Sequence, residues 1–338
     1  MTQGTKRSAF TLIELLTVVA IIGLLIALLL PSLGRARRAA VSIQCQSNFR
    51  QLAAGWHLYS QEFREVMLPG RFANLTNEGG VRGEANPDNH YQVQGGLKYR
   101  PRWIATLATY AGVAPFGQPL TEDTDLDDSG SAERYTNDDA DRQNYVSDLL
   151  VCPAIAGVRS ERNAAYGYNH QFLGNARQWP GTSEFRNFPV RITTIRDFAQ
   201  TVMAADSLGT AAAHPERDRT VYDPASGDSS TQALYNHGWS LDPPRLTENS
   251  DIGDGDLANP IRIGVDDRHL GRVASVHLDG HVTTTTIEEL GYRVDDAGIQ
   301  VTGIDSREQF GGENDPNDPP TNRLFSGSGR DADPPAQP

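Results

Sequence analysis

The longest apolar stretch of the chain lies close to its N-terminus. Residues 10–30 read FTLIELLTVVAIIGLLIALLL, and Glu14 is the single charged residue among them. A run of about 20 apolar residues matches the hydrocarbon core of a bilayer, so the sequence predicts a membrane-spanning helix over 10–30. Placing a carboxylate inside the bilayer costs on the order of 3 kcal/mol, so we expect Glu14 to pair with another group and to have a functional role.

A cleaved secretory signal and an ordinary membrane anchor both fit this run less well. A secretory signal has a shorter apolar core with a small-residue cleavage site after it, whereas Pro31 and then Arg35 follow here. An ordinary anchor accounts for the length of the run but leaves Glu14 without a role.

The helical pattern continues beyond the apolar run. Between Arg35 and Val66 there is no proline and a single glycine, and apolar residues recur at spacings of 4, 3, 4, 3 and 4 (Cys45, Phe49, Leu52, Trp56, Tyr59 and Phe63). These spacings are typical of one helical face. The sequence therefore predicts one helix over about 10–66, with an amphipathic part over 31–66 that packs on a sheet and turns Cys45 inward.

Short β-strands are predicted in the second half of the chain, at 191–198, 201–205, 271–278 and 281–287. Asp279 and Gly280 separate the last two strands and favour a two-residue type I′ turn. The predicted fold class is α+β: a long N-terminal helix packed on an antiparallel β-sheet with long loops.

The predicted hairpin also bears on a cluster of potential metal ligands, His269, His277, Asp279 and His281. In the two-residue register Leu278 pairs with His281, so His277 and His281 point to opposite faces of the sheet. We therefore expect a structural hairpin here and no histidine metal site.

Polar segments occupy 121–142 and 207–262, and the chain after 307 is rich in Pro, Gly and Asp. That last stretch has too few apolar residues to offset its ordering entropy. The predicted division is a folded α+β domain over 67–306 and a disordered acidic tail over 307–338.

Charge and cysteine content narrow the class of protein. The formal net charge of −13 argues against binding nucleic acid, whose phosphates need Lys and Arg, and against binding anionic lipid. The two cysteines, Cys45 and Cys152, permit a disulfide outside the cytoplasm, while two buried thiols are an equal alternative.

Other candidate chemistry is sparse. Asp251, Asp254 and Asp256 are weak Ca²⁺ candidates because calcium prefers carboxylate oxygens, but Arg262 stands where an EF-hand loop has Glu. A solvated loop is favoured, so no cofactor is predicted. The chain has no nucleophile elbow, no P-loop, no HExxH and no dinucleotide fingerprint, so we expect no enzymatic activity.

The N-terminus resembles that of type IV prepilins and type II secretion pseudopilins. Lys6 and Arg7 precede a small residue, and Phe-Thr-Leu-Ile-Glu-Leu-Leu follows. The resemblance implies a leader over 1–9, cleavage by a prepilin peptidase after Ala9, and N-methylation of the new N-terminal residue, Phe10. It also implies that Glu14 neutralises the α-amino group of a neighbouring subunit in a filament. Ala9 departs from the family, in which Gly is usual.

Three further stretches resemble large pilin-like proteins common in Planctomycetes, which carry a C-terminal H-x9-DG domain of unknown function. They are CQSNFRQL from Cys45, LLVCP ending at Pro153 with AYGYN after it, and the signature from His269 to Asp279 and Gly280.

These features predict a structural subunit of the inner membrane, with a single span and an extracytoplasmic domain. Its expected partners are prepilin peptidase and copies of itself or other pilin-like subunits. The alternative is a membrane-anchored binding protein whose loop aromatics capture a carbohydrate or another solute (Trp179, Tyr222, Tyr235 and Trp239).

Overall fold

The computed structural model describes residues 12–70, 91–94, 96–98, 101–117, 144–161, 163–174, 176–178, 185–221, 230–246, 250, 263–301 and 320–335. Two α-helices lie in these ranges, α1 (Leu12–Glu62) and α2 (Trp103–Tyr110). The strands are β1 (Tyr91–Val93), β2 (Gly96–Lys98), β3 (Tyr166–Tyr168), β4 (Ala176–Gln178), β5 (Phe185–Asn187), β6 (Val202–Gly209), β7 (Gly264–Val265), β8 (Val273–His277), β9 (Val282–Thr285), β10 (Arg293–Val294) and β11 (Gln300–Val301). Short 3₁₀ helices span Asp148–Leu150, Pro153–Ile155, Ile192–Thr194, Thr210–Ala213 and Glu216–Asp218, and a π turn spans His170–Gly174.

Helix α1 confirms the predicted long helix and is about 75 Å long for its 51 residues. Its interior includes Pro31, which removes one backbone hydrogen bond without ending the helix. The helix ends at Glu62, four residues before the prediction, because Arg64 and Glu65 take left-handed backbone conformations. Residues 10 and 11 of the predicted helix lie outside the described part of the chain.

The predicted packing face is confirmed in the second half of α1. Its buried residues repeat at helical spacing and include every member of the predicted stripe except Phe63 (Cys45, Asn48, Phe49, Leu52, Ala53, Gly55, Trp56, Tyr59 and Ser60). This face packs across β8 and β9 and against α2. A close approach of α1 to α2 needs Gly55, since a Cβ there would lie 2.9 Å from the Leu107 carbonyl oxygen.

The main sheet has five antiparallel strands in the order β3-β6-β8-β9, with β7 also paired to β6. All eight residues of β6 and all five of β8 are buried, so both faces of the sheet are covered at its centre. The predicted strand over 201–205 is confirmed and extends to Gly209. The predicted strand over 191–198 is wrong, because Ile192–Thr194 forms a 3₁₀ helix after one bridge between Arg191 and Val66.

The predicted hairpin is confirmed, but its register is wrong by one residue. Val276 pairs with Val282, so Leu278, Asp279 and Gly280 form a three-residue turn and His277 lies opposite His281. The His277 amide donates to the His281 carbonyl at 3.0 Å, and Gly280 takes a φ of 88° that favours glycine. The two histidines therefore share one face, contrary to the prediction.

Two segments predicted to be loop or disordered contribute to the folded domain. Residues 207–213 complete β6 and add a 3₁₀ helix in which Ala211 and Ala212 are buried. In the predicted tail, residues 320–335 pack on the domain, where Phe325 is fully buried and its carbonyl accepts a hydrogen bond from Asn169. The prediction of disorder is wrong for this part of the tail.

Candidate functional sites

The first half of α1 presents an apolar surface that the domain does not cover. Every residue from Leu12 to Ala40 is exposed, and Glu14 is the single charged residue over 12–33. Soluble monomers rarely expose a contiguous apolar surface of this size. By length and composition this helix can cross a membrane.

Glu14 lies in the first turn of α1, where a carboxylate interacts favourably with the positive end of the helix dipole. The Thr17 hydroxyl donates to the Glu14 backbone carbonyl at 3.0 Å, one turn further along. No other Asp, Glu, Lys or Arg occurs between Leu12 and Gly34. The predicted processing residues, Ala9 and Phe10, lie outside the described residues.

A second site lies where α1 enters the domain. Cys45, Cys152, Asp206 and His269 bring two sulfurs, one carboxylate and one imidazole nitrogen to within 4.8 Å of one another. All four residues are buried, with exposed fractions of 0 to 4%. We call these four residues the buried cluster.

Four separate segments supply the buried cluster. Cys45 is the first buried residue of α1, and Asp206 is in the middle of the central strand β6. Cys152 stands between two 3₁₀ helices, with Pro153 starting the second one. His269 lies in a tight turn before β8, in which Leu270 and Gly271 both have positive φ.

The contacts inside the cluster are short. Cys45 Sγ lies 3.5 Å from Asp206 Oδ1, and Cys152 Sγ lies 3.5 Å from His269 Nε2. His269 Nε2 is also 3.3 Å from Asp206 Oδ2. The same imidazole nitrogen therefore faces both the thiol and the carboxylate.

Neighbouring groups hold these donors in place. The Ala274 amide donates to Asp206 Oδ2 at 2.9 Å, and the Tyr166 hydroxyl lies 3.3 Å from Cys45 Sγ. Arg268 Nε lies 3.9 Å from Asp206 Oδ1 and 2.9 Å from Asp266 Oδ2. A buried arginine thus offsets part of the negative charge of the cluster.

Proton affinities within the cluster are strongly perturbed. A hydrogen bond from Cys45 lowers the pKa of Cys152 to about 5 against the effect of burial, with His269 and Arg268 contributing. Burial raises the pKa of Cys45. Burial alone would lower the pKa of His269, but hydrogen bonds to Asp206 and Cys152 outweigh it and raise that pKa to about 9.

The structure shows where the cysteines and the other predicted site residues lie. Cys45 and Cys152 are close together, as a disulfide would require, but both are unbridged in the structure. His269 joins them, whereas its expected companions Asp279 and Gly280 form the β8–β9 turn. Sequence reasoning missed Asp206 altogether. The calcium candidates Asp251, Asp254 and Asp256 lie outside the described residues.

The loop aromatics that the structure describes are used to hold the domain together. Trp239 is 7% exposed, and its carbonyl accepts a hydrogen bond of 2.6 Å from Trp103 Nε1. The Arg268 guanidinium covers the ring of Tyr235 at 5.1 Å. Trp179 and Tyr222 lie outside the described residues, and the binding-protein alternative is not favoured.

Comparison with known proteins bears on the N-terminal segment. Residues 4–30 match the family model described as the prokaryotic N-terminal methylation motif. No curated protein matches the chain, and neither does any solved structure. The motif and the long apolar helix together support a prepilin-like protein of α+β, pilin-like fold, with the helix as its membrane anchor.

Proposed function

We propose that the chain is a pilin-like or pseudopilin subunit, cleaved after Ala9 by a prepilin peptidase and assembled through α1 into a type IV pilus or a type II secretion pseudopilus. The observation that carries this proposal is that the methylation motif at residues 4–30 overlaps the first half of α1, whose apolar surface is exposed outside the folded domain.

Before assembly, the apolar half of α1 holds the subunit in the inner membrane. The apolar part of the exposed stretch, residues 12–33, precedes Arg35 and is about 33 Å long, which matches the hydrocarbon thickness of about 30 Å. Lys6 and Arg7 stay on the cytoplasmic side, in keeping with the positive-inside rule, and the acidic domain is extracytoplasmic.

During assembly, the same apolar surface packs against the helices of other subunits. Such head-to-tail contacts propagate without closing, which produces a filament. Once the leader is removed, Glu14 becomes the fifth residue of the mature chain and its carboxylate pairs with the α-amino group of Phe10 in a neighbouring subunit. An unpaired charge in that dry core would be very unfavourable, so the pair fixes the register of docking.

The H-x9-DG resemblance belongs to the same proposal, and its spacing is consistent with the elements between His269 and the hairpin turn. His269 precedes β8, and Asp279 and Gly280 form the turn that follows it. The nine intervening residues are the length needed for a tight turn, a strand of five residues and one turn residue. We propose that the residues of the signature hold β8 in place, with His269 in the buried cluster at one end and Asp279 and Gly280 in the hairpin turn at the other.

A catalytic role is not part of this proposal. In a Cys-His-Asp relay the thiol and the carboxylate contact opposite nitrogens of the imidazole, whereas Cys152 and Asp206 both face Nε2 of His269. The cluster is also closed to substrate, because its residues are at most 4% exposed.

The decisive test compares Glu14→Leu with Thr17→Val in the native host. Removing one partner of a buried charge pair costs about 3–5 kcal/mol, so Glu14→Leu should lower the filament yield by about 100-fold or more while the protein still fractionates with the membrane. Thr17→Val changes a polar group one turn away and should assemble normally. Electron microscopy of sheared surface material measures the yield, and N-terminal sequencing identifies the cleavage site.

Two outcomes would contradict the proposal. Filaments from Glu14→Leu in wild-type amounts would remove the role of the carboxylate in assembly. A mature chain that begins at unmodified Met1 would show that no processing occurs after Ala9.

A further inference from the structure

We propose that the buried cluster of Cys45, Cys152, Asp206 and His269 binds one divalent ion such as Zn²⁺, which connects α1 to the sheet. This site goes beyond the assembly function and does not depend on it. Two sulfurs, one imidazole nitrogen and one carboxylate oxygen make a donor set that favours tetrahedral Zn²⁺, whereas Ca²⁺ and Mg²⁺ prefer oxygen ligands alone.

The distances between the donor atoms fit a tetrahedral ion. With bonds of about 2.3 Å to sulfur and about 2.0–2.2 Å to nitrogen and oxygen, the ligand atoms of a tetrahedral ion lie about 3.3–3.8 Å apart, the largest value being that between two sulfurs. Cys45 Sγ lies 3.5 Å from Asp206 Oδ1, Cys152 Sγ lies 3.5 Å from His269 Nε2, and His269 Nε2 lies 3.3 Å from the other carboxylate oxygen, Asp206 Oδ2. One ligand atom from each of the four residues lies within 4.8 Å of the others, so one oxygen of Asp206 would complete the set.

A disulfide would explain less of this geometry than an ion does. It would use the two sulfurs alone and would give Asp206 and His269 no bond to them. The orientation of His269 is the informative feature, because one nitrogen, Nε2, faces both Cys152 and Asp206. A single central ion accounts for all four side chains at once.

The surroundings of the site are those of a closed, structural metal centre. The Ala274 amide and the Tyr166 hydroxyl orient Asp206 and Cys45, as outer hydrogen bonds do for metal ligands. Two thiolates and a carboxylate would carry three negative charges, of which a dication neutralises two. Arg268 lies 3.9 Å from Asp206, beside the remaining charge, and also pairs with Asp266 at 2.9 Å.

The ion would join parts of the chain that are far apart in sequence. Cys45 belongs to α1, Asp206 to the central strand, and His269 to the turn before β8. Since a preformed site is absent from an unfolded chain, the binding free energy becomes folding free energy. Metal binding would therefore stabilise the junction between α1 and the domain.

The test uses the full chain purified in detergent under conditions that protect thiols. After incubation with Zn²⁺ and gel filtration, elemental analysis should find one zinc per chain. Incubation with Co²⁺ should give thiolate-to-cobalt charge-transfer absorption and the intense visible bands of a tetrahedral site. Zinc at a thousand times its dissociation constant should raise the melting temperature by roughly 10 °C, and a chelator should reverse the shift.

Substitutions in the buried cluster distinguish zinc binding at this site from adventitious binding elsewhere on the chain. Cys152→Ser and Asp206→Asn should bind zinc at least 10-fold more weakly, and Cys152→Ser should also reduce the charge-transfer band. His277→Gln changes a buried histidine outside the cluster and should keep one zinc per chain. If the cluster variants fail to fold, the cobalt spectrum of the unmodified chain still decides the question.

Three results would overturn the proposal. The first is a wild-type chain that takes up no zinc, and the second is a cobalt complex without thiolate charge-transfer absorption. The third is mass spectrometry of chain alkylated directly in cells that shows Cys45 and Cys152 joined as a disulfide.

Discussion

Acidification should destabilise the protein through His277, a buried residue of the β8–β9 hairpin. Its side chain is largely covered, its ring stacks on His281 with centroids 4.2 Å apart, and its Nε2 lies 3.0 Å from Thr283 Oγ1. Burial first, and then the charge of His281, lower the pKa of His277 to about 4, against opposing contributions from the Gln200 backbone and Asp279.

The sign and size of the effect follow from linkage. In the unfolded chain the pKa of this histidine is 6.5, so between pH 6.5 and about 4 the unfolded state binds more protons than the folded state. Stability contributed by neutral His277 is therefore complete above pH 6.5 and is lost as pH falls through this window. The difference between the two pKa values corresponds to about 3 kcal/mol of unfolding free energy.

Another buried group acts in the opposite direction over part of the same window. Burial raises the pKa of Asp266 from 3.8 to about 6, so the folded state binds an additional proton there and gains stability as pH falls. The pH profile of the wild-type protein alone therefore understates the effect of His277. The difference between wild type and His277→Gln isolates it, because Asp266 is common to both.

The assay is urea unfolding of the full chain in detergent, from above pH 6.5 down to pH 4. The advantage of wild type over His277→Gln should shrink by about 3 kcal/mol across this range. His281→Ala removes the neighbouring charge and should reduce that pH dependence. Parallel pH profiles for wild type and His277→Gln would refute the reasoning.

The remaining predictions concern packing in the domain and use the same unfolding assay. Gly209→Ala should cost about 3–5 kcal/mol, because its φ of 70° strains a side chain and a Cβ would overlap the Asn236 backbone. Gly112→Ala has a similar φ of 76° with no atom within 4 Å, so it should cost about 1 kcal/mol, and equal costs would refute the steric argument. Phe325→Ala should cost about 3–5 kcal/mol because its ring is fully buried; an unchanged stability would mean that the C-terminal segment does not pack.

The sequence was most informative where one physical constraint repeats along the chain. The stripe from Cys45 to Tyr59 predicted the buried face of α1 because a helix returns the same face to the core every three or four residues. Each position of the stripe supports the same conclusion, so one ambiguous residue does not change it.

The errors occurred where a single residue decides the outcome. Asp-Gly is typical of both two-residue turns and longer turns that end on a left-handed glycine, and the one-residue difference moved His277 and His281 onto the same face. The strand predicted over 201–205 ended four residues before β6 does, so it left out Asp206. That boundary error concealed the fourth member of the buried cluster, whose partners are distant in sequence.

The position of the buried cluster along α1 links the two proposals. The helix is exposed through Ala40 and becomes buried at Cys45, so the cluster marks the junction between the half that is proposed to assemble and the half that carries the domain. In the proposed filament, force on the domain would reach the packed helices through this junction. Hydrophobic contacts along the stripe resist separation of the helix from the sheet, but they are non-directional. A bond through Cys45 to Cys152, Asp206 and His269 would add a directional connection to β6 and to the turn before β8. Loss of the ion should therefore weaken the attachment of the domain while leaving the apolar half of α1 able to pack.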